Sequence, residues 1–150
     1  MPTAIHRRVD AARAGQDQTV ITRLNSGWVL FGTQQFLLGY CLLIPDPVVP
    51  NLNALHGAQR VQFLADMITL GDALLMTTGA LRINYAIFGN QEPALHAHVV
   101  PRYQNESPEL KTAHPWAYDW SAAPSFDAAQ YSPLKAAMLS AFQSLGVSQR

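Results

Sequence analysis

The sequence predicts an α+β fold in which an antiparallel sheet packs against helices. The two best strand candidates, residues 81–88 and 95–100, are joined by a short turn at Gly89-Asn90, and short turns join antiparallel rather than parallel strands. Strands and helices also do not alternate strictly, which argues against a doubly wound parallel sheet. The 150 residues can bury a substantial core, so we expect residues 1–150 to form a single domain.

Five segments have the composition of strands. Apolar, β-branched and aromatic runs bounded by turn residues predict strands at residues 20–23, 28–31, 40–44, 81–88 and 95–100. The segment between the third strand and the main helix, "PDPVVPNLN", contains three prolines, which remove backbone donors and fix φ. We therefore expect a connecting loop there.

Three helices are predicted. The first covers residues 3–14 and the main one covers residues 60–78. The last begins with Ser132 as N-cap and Pro133 at the first helical position. Gly71, inside the main helix, costs ~1 kcal/mol relative to Ala, so we expect it to allow close packing against a strand. The apolar stripe of the main helix consists of Leu64, Met67, Ile68, Gly71, Leu74, Leu75 and Thr78.

Composition excludes several classes of function. Formal net charge is zero, and Lys and Arg are scattered, so we expect no nucleic-acid partner. The longest apolar stretch, residues 27–45, is interrupted by glycines and glutamines, which indicates strands and a turn rather than a membrane span. Cys41 is the single cysteine, and the first 15 residues have no apolar signal core. We expect a cytoplasmic protein without a membrane association.

The segment "EPALHAHVVPRY", residues 92–103, carries two histidines two positions apart. Residues i and i+2 of a strand point to the same face, ~6.6 Å apart along the chain. His96 and His98 would therefore share one face, while Leu95, Ala97 and Val99 form an apolar opposite face. This pattern predicts a sheet that buries one side and presents two imidazoles on the other.

Three interpretations of the histidine pair remain open from spacing alone. The pair is surface decoration, a ligand-binding site, or part of a metal site, because two imidazoles on one strand face can chelate zinc. A metal site needs third and fourth ligands. The other candidate ligands lie on separate elements without typical zinc-site spacings: His6, His56, His114 and Cys41.

The segment "NQEPALHAHVVPRY" resembles the signature of the histidine triad (HIT) superfamily, His-φ-His-φ-His-φ-φ, often followed by Pro-Arg. "FLLGYCLLIPDPVVPNLNAL" is similar to the family segment with Pro-Gly-His, an apolar strand, a proline loop and the main helix. "RINYAIFGNQ" is similar to the strand and turn before the triad. The resemblance covers roughly residues 25–103 and leaves residues 104–150 as a C-terminal extension. It implies a HIT-like fold, with an antiparallel sheet of about five strands, a main helix on one face, and additional N- and C-terminal helices.

The resemblance implies an enzyme, a nucleotide hydrolase or nucleotidyl transferase. Its substrate would be a nucleoside polyphosphate, dinucleoside polyphosphate or phosphoramidate. His96 aligns with the histidine that attacks the α-phosphate and forms a covalent nucleotidyl-histidine intermediate, which splits one displacement into two easier steps. His98 aligns with the residue that contacts the phosphate or leaving group. Asn84 aligns with an amide near the scissile oxygen, and Asn90 and Gln91 with the turn that binds phosphate.

Two further features are candidates for ligand contact. Arg102 would reach a phosphate, although an arginine at a strand end is more often a solvated charge. Trp28, Trp116 and Trp120 would stack on a base, although packing against the domain is the commoner use of large aromatics. No cofactor is required, and Mg²⁺ is possible together with a polyphosphate substrate.

The sequence departs from the family pattern at three positions. Ala94 replaces the first triad histidine, but it keeps the backbone carbonyl that in this family holds the proton on the far ring nitrogen of the nucleophile. Tyr40 replaces the histidine of Pro-Gly-His, and Gly32 occupies a position where relatives often hold the ribose. A non-catalytic nucleotide-binding module is therefore an alternative. The resemblance also implies a homodimer with a continuous sheet.

Overall fold

The computed structural model describes all residues from Met1 to Arg150. It contains one antiparallel sheet with the strand order β1-β2-β3-β5-β4. The strands are β1 (Val20–Arg23), β2 (Gly27–Phe31), β3 (Cys41–Pro45), β4 (Arg82–Ala86) and β5 (Ala97–Arg102). The helices are α1 (Ala4–Arg13), α2 (Gly57–Thr78), α3 (Pro108–Lys111) and α4 (Ala128–Ser144), with single 3₁₀ turns at Leu52–Ala54, Pro115–Ala117 and Trp120–Ala122. The expected α+β class and the five antiparallel strands are confirmed.

Helices α2 and α4 cover one face of the sheet, which we call the back face. The larger apolar core lies there, and α2 contributes Phe63, Leu70 and Leu74 to it. Gly71 allows the helix to approach β4, because a Cβ at this position would collide with the hydroxyl group of Tyr85. The expectation that Gly71 serves close packing against a strand is confirmed.

The predicted apolar stripe of α2 is only partly the packing face. Leu64, Ile68 and Leu75 belong to the predicted stripe, yet between 37% and 48% of their surface is exposed. The helix is apolar on most of its circumference, so periodicity alone does not distinguish the buried side from its flank. No helix of the chain, α2 included, combines the length and hydropathy needed to cross a bilayer.

Helix α1 covers part of the opposite, front face. Ile5 and Val9 of α1 pack in a second core with strand residues from β2, β3 and β5. The helix begins where the Thr3 side chain accepts hydrogen bonds from the N–H groups of Ile5 and His6, which satisfies two donors of its first turn. The front face is therefore open only in part, toward β4 and β5.

The last helix starts earlier than the sequence predicts. Helix α4 begins at Ala128, where the side chain of Asp127 caps the N–H of Gln130 at 2.8 Å. Pro133 lies inside the helix and removes one backbone hydrogen bond. Tyr131 offsets this loss, because its ring is buried against Phe31 at a centroid distance of 5.3 Å. The predicted start at Ser132 and Pro133 is wrong for this reason.

Candidate functional site

The two histidines lie together where β5 begins. The strand starts at Ala97, so the expected strand at residues 95–100 is displaced by two residues and His96 precedes it. The N–H of Leu95 bonds the carbonyl of Val49 at 2.8 Å instead of joining the ladder. The ring centroids of His96 and His98 are nevertheless 4.9 Å apart, so both imidazoles meet as the sequence predicts.

The proton on the His96 ring is placed by a backbone carbonyl. Nδ1 of His96 lies 2.7 Å from the carbonyl oxygen of Ala94. A carbonyl oxygen can only accept, so Nδ1 carries the hydrogen and donates it. In the neutral ring, Nε2 then keeps a free lone pair. Ala94 is fully buried and supplies this contact without a side chain of its own.

The His98 ring is bonded to a tyrosine. Its Nδ1 lies 2.7 Å from the hydroxyl oxygen of Tyr40. Burial, and secondarily the neighbouring His96, lower the pKa of His98 from 6.5 to about 4. Burial also raises the pKa of the Tyr40 phenol. Both groups are therefore uncharged at neutral pH.

Aromatic rings enclose His98. The ring of Trp116 stands perpendicular to it at a centroid distance of 4.8 Å, and those of Trp120 and Phe88 lie at 6.3 and 6.5 Å. Trp116 and Phe88 also contact each other at 4.9 Å and remain substantially exposed. Trp120 packs against Tyr40 and Phe36 as expected, whereas Trp116 keeps an exposed face, and the position of both rings beside His98 was not predicted.

A groove of about 1,100 Å³ leads along the front of β4 beside these rings. Its walls are β4, the turn that follows it and the chain segment 111–116. Trp116 and Phe88 belong both to the groove and to the enclosure of His98. Neither histidine lines the groove itself, which adjoins His98 through these two rings.

Solved structures are similar to this chain over nearly its whole length, although no protein-family model and no curated protein matches its sequence. A histidine triad protein from Marinobacter aquaeolei VT8 is 19% identical, with a TM-score of 0.74 over 95% of this chain and 98% of its own. One from Bradyrhizobium japonicum is 23% identical, with a TM-score of 0.70 over 86% and 93%. A hypothetical histidine triad nucleotide-binding protein from Sulfolobus tokodaii is 12% identical, with a TM-score of 0.71 over 91% of each chain. The chain has the histidine triad fold.

Two of its departures from the histidine triad pattern are coupled in space. A Cβ at Gly32 would overlap the ring of Tyr40. Tyr40 therefore takes the room that a side chain at position 32 would need, and its hydroxyl reaches His98 from there. The Tyr40 ring can take this position only because residue 32 has no side chain.

Arg102 anchors the C-terminal extension to the sheet. It is 6% exposed, and it donates to Glu106 at 2.9 Å, to the side-chain oxygen of Asn84 at 2.8 Å, and to the carbonyls of Leu110 and Ala113 at 2.7 and 2.8 Å. Burial opposes ionisation of Glu106, but its hydrogen bonds, led by that from Arg102, outweigh burial and lower its pKa. These bonds occupy the guanidinium, so the geometry does not support the predicted phosphate contact of Arg102.

The remaining predicted residues lie around the groove. Asn84 lines it and pairs with Val100 in the β4–β5 ladder, next to the pair formed by Ala86 and His98. Asn84 and His98 therefore share a face, diagonal to each other at roughly 7–8 Å. Asn90 and Gln91 are exposed in the turn after β4, and neither side chain makes a hydrogen bond within the protein. Trp28 lies elsewhere and donates to Asp46 at 2.9 Å.

The pair lacks the further ligands of a protein metal site. No group of three or more His, Cys, Asp and Glu side chains is arranged to hold a metal ion. Cys41 is buried in β3, where burial raises the pKa of its thiol, so it is poorly suited as a ligand or nucleophile. His96 and His98 offer two nitrogen ligands, fewer than the three or four of zinc sites.

Proposed function

We propose that this protein is a nucleotide hydrolase or nucleotidyl transferase with His96 as its nucleophile. The substrate is a nucleoside polyphosphate, a dinucleoside polyphosphate or a nucleoside phosphoramidate. One observation carries the proposal: the Ala94 carbonyl holds the Nδ1 proton of His96 and leaves Nε2 as a free lone pair. The histidine triad fold supports it, as does the structural similarity to a protein described as nucleotide-binding.

The reaction has two displacements at phosphorus. In the first, the Nε2 lone pair of His96 attacks the α-phosphorus, the bond to the leaving group breaks, and the leaving group departs with the bonding electrons. The imidazole then carries a positive charge shared between both nitrogens, and its Nδ1–H still donates to Ala94. In the second, water or another hydroxyl group attacks phosphorus, the P–N bond returns its electrons to Nε2, and the proton of the attacking oxygen passes to solvent.

The groove offers the room for such a substrate. Its volume of about 1,100 Å³ slightly exceeds the range of small-molecule sites, roughly 300–1,000 Å³. Arg82 and Lys111 bring positive charge to its lining, whereas its carboxylate, Glu106, is paired with Arg102. An anionic ligand therefore fits this lining. We propose that Asn84 contacts the reacting phosphate from the groove floor.

The exposed turn residues provide further phosphate donors in this proposal. Asn90 and Gln91 have amide groups that are free of protein partners, and neutral donors stabilise the charge that spreads over the phosphate oxygens. The protein requires no resident metal for this chemistry. Any Mg²⁺ would arrive with the polyphosphate and keep most of its water ligands.

The direct test is the variant His96→Ala, with His56→Ala as control, because His56 is exposed at the start of α2. Wild type and both variants are incubated with dinucleoside polyphosphates and nucleoside phosphoramidates, and release of AMP, GMP or UMP is measured. We expect His96→Ala to lose at least about 10³-fold in kcat and His56→Ala to retain it. Unchanged turnover in His96→Ala refutes the proposal. If calorimetry shows that the wild-type protein binds nucleotides but no product forms, the protein is a non-catalytic nucleotide-binding module.

We also propose that two copies pair through β4 and α2. Strand β4 is at the edge of the sheet, and an unpaired edge can extend the sheet into a second copy. The exposed Leu64, Ile68 and Leu75 lie on α2, which packs behind that edge. Light scattering should give twice the chain mass of 16.5 kDa. Ile68→Glu should shift the protein toward the monomer, whereas Ala136→Glu on the exposed side of α4 should not. A single-copy mass for wild type at micromolar concentration contradicts the pairing.

A further inference from the structure

Tyr40 is buried in the layer of aromatic rings over the front of the sheet. It is 4% exposed and packs against Phe36 and Trp120, each at a centroid distance of 5.1 Å. Its ring lies almost parallel to that of His98, with an interplanar angle of 13°. The hydroxyl group has one hydrogen-bond partner, Nδ1 of His98 at 2.7 Å. The geometry of this bond decides where the His98 proton resides.

The hydroxyl of Tyr40 must be the donor. If Nδ1 of His98 carried the hydrogen and donated it, the phenol O–H would have no acceptor inside a buried site, because no other group bonds the oxygen. A buried donor without a partner costs about 1–3 kcal/mol. With Tyr40 donating, both groups are satisfied. The hydrogen of the neutral His98 ring is then on Nε2.

We propose that Tyr40 is a positioning residue that fixes His98 as the Nε2–H tautomer. The two histidines then carry opposite tautomers: His96 presents a lone pair at Nε2, and His98 presents a hydrogen-bond donor there. In the reaction proposed above, on which this consequence rests, His98 donates to a phosphate or leaving-group oxygen and does not act as a base. The ring neighbours of His98 are His96, Tyr40, Phe88, Trp116 and Trp120.

No charged side chain bonds His98, so the tautomer depends on Tyr40. The ring has no salt bridge, and Tyr40 is the one side chain that hydrogen-bonds it. The cation whose charge acts on this pair is Arg8 of α1, which partly counteracts the effect of burial on the pKa of Tyr40. The bond also depends on the space at Gly32, where a Cβ would overlap the Tyr40 ring. Gly32→Ala is therefore a second way to displace the hydroxyl while keeping it chemically intact.

The tautomer is measured by two-bond ¹H–¹⁵N NMR spectra of histidine-labelled protein at pH 7.5, with the His98 signals assigned by their loss in His98→Gln. We expect His98 to show a non-protonated Nδ1 and a protonated Nε2, and His96 to show the reverse. In Tyr40→Phe and in Gly32→Ala the His98 Nδ1 resonance should shift, because its hydrogen bond is lost. A protonated Nδ1 of His98 in wild type overturns the proposal.

Kinetics provide the second readout. Tyr40→Phe should lower kcat about fivefold to tenfold, the loss expected for one neutral hydrogen bond, and leave KM unchanged because the hydroxyl contacts His98 and not the substrate. The control is Tyr131→Phe, which alters a buried tyrosine on the back face and should change neither. An unchanged kcat together with an unchanged Nδ1 resonance in Tyr40→Phe also overturns the proposal. If no substrate is turned over but both tautomers are as expected, the proposed reaction fails and the positioning role of Tyr40 stands.

Discussion

The two faces of the sheet are built by different means. On the back face, β3 and β5 contribute apolar side chains such as Leu43, Ala97 and Val99 to a core closed by α2 and α4. On the front face, β5 carries His98 and Arg102, which bond Tyr40 and Asn84 from distant parts of the sequence. Burial of apolar surface organises the back face, whereas directional hydrogen bonds and ring contacts organise the front face near the histidines. The geometry of the site therefore depends on front-face contacts that the back-face core does not supply.

The largest effects should come from one substitution on each face. Phe63→Ala on the back face removes a fully buried ring and should cost about 3–5 kcal/mol of unfolding free energy. Arg102→Met on the front face leaves Glu106 buried without its partner and should also cost about 3–5 kcal/mol. Urea unfolding measures both values.

Activity should separate these two variants. Below the onset of unfolding, Phe63→Ala should retain its kcat/KM per folded molecule, because the front face is intact. Arg102→Met should lose kcat/KM, because it releases the segment that carries Trp116. An equal loss of kcat/KM in both variants would show that the geometry of the site also depends on the back-face core.

Local sequence patterns predicted the back face well. The alternation of Leu95, Ala97 and Val99 identified core residues, and all three lie in the core. The strands are short and turn residues lie between them, so the alternation of apolar residues together with these turn residues was sufficient to locate the strands. The packing side of α2 was less well predicted because an apolar helix surface carries little directional signal, as the exposure of Ile68 shows.

The front face depends on contacts that are remote in sequence. The start of β5 was misplaced because Leu95 bonds Val49, a residue that no local pattern relates to it. The position of Trp116 follows from the anchoring of its segment by Arg102, so composition alone could not place it beside His98. The proximity of the two imidazoles was predicted, because their spacing of two residues is local, and their roles stay predictions.

Acid should weaken the fold through the front face. The pKa of His98 is lowered to about 4 in the folded protein, against an unperturbed value near 6.5, so between these values the unfolded chain binds more protons. The contribution of His98 to the unfolding free energy has its full value above about pH 6.5 and decreases as the pH drops toward about 4. The decrease amounts to roughly 2 kcal/mol at pH 5. Urea unfolding at pH 7.5 and 5.0 should show a smaller loss in His98→Gln. An identical loss of unfolding free energy in wild type and His98→Gln would show that His98 is not the source of the acid sensitivity.

The smallest effect should come from the exposed wall of the site. Trp116→Leu removes a ring that stands perpendicular to His98 at 4.8 Å and should lower kcat/KM about fivefold to tenfold, since such ring contacts contribute about 0.5–1.5 kcal/mol. Because Trp116 is 42% exposed, the unfolding free energy should change by less than about 1 kcal/mol. Trp28→Leu, remote from the pair, is the matched control and should leave kcat/KM unchanged.

The covalent intermediate is the most direct test of the central claim. Wild-type protein is mixed with substrate for milliseconds to seconds, quenched in alkaline denaturant to preserve the P–N bond, and digested for mass spectrometry. We predict a mass increase of one nucleotidyl group on the peptide containing residues 92–103, located at His96 and absent from His96→Ala. Product release without any adduct at His96, or an adduct at His98 instead, would contradict the account.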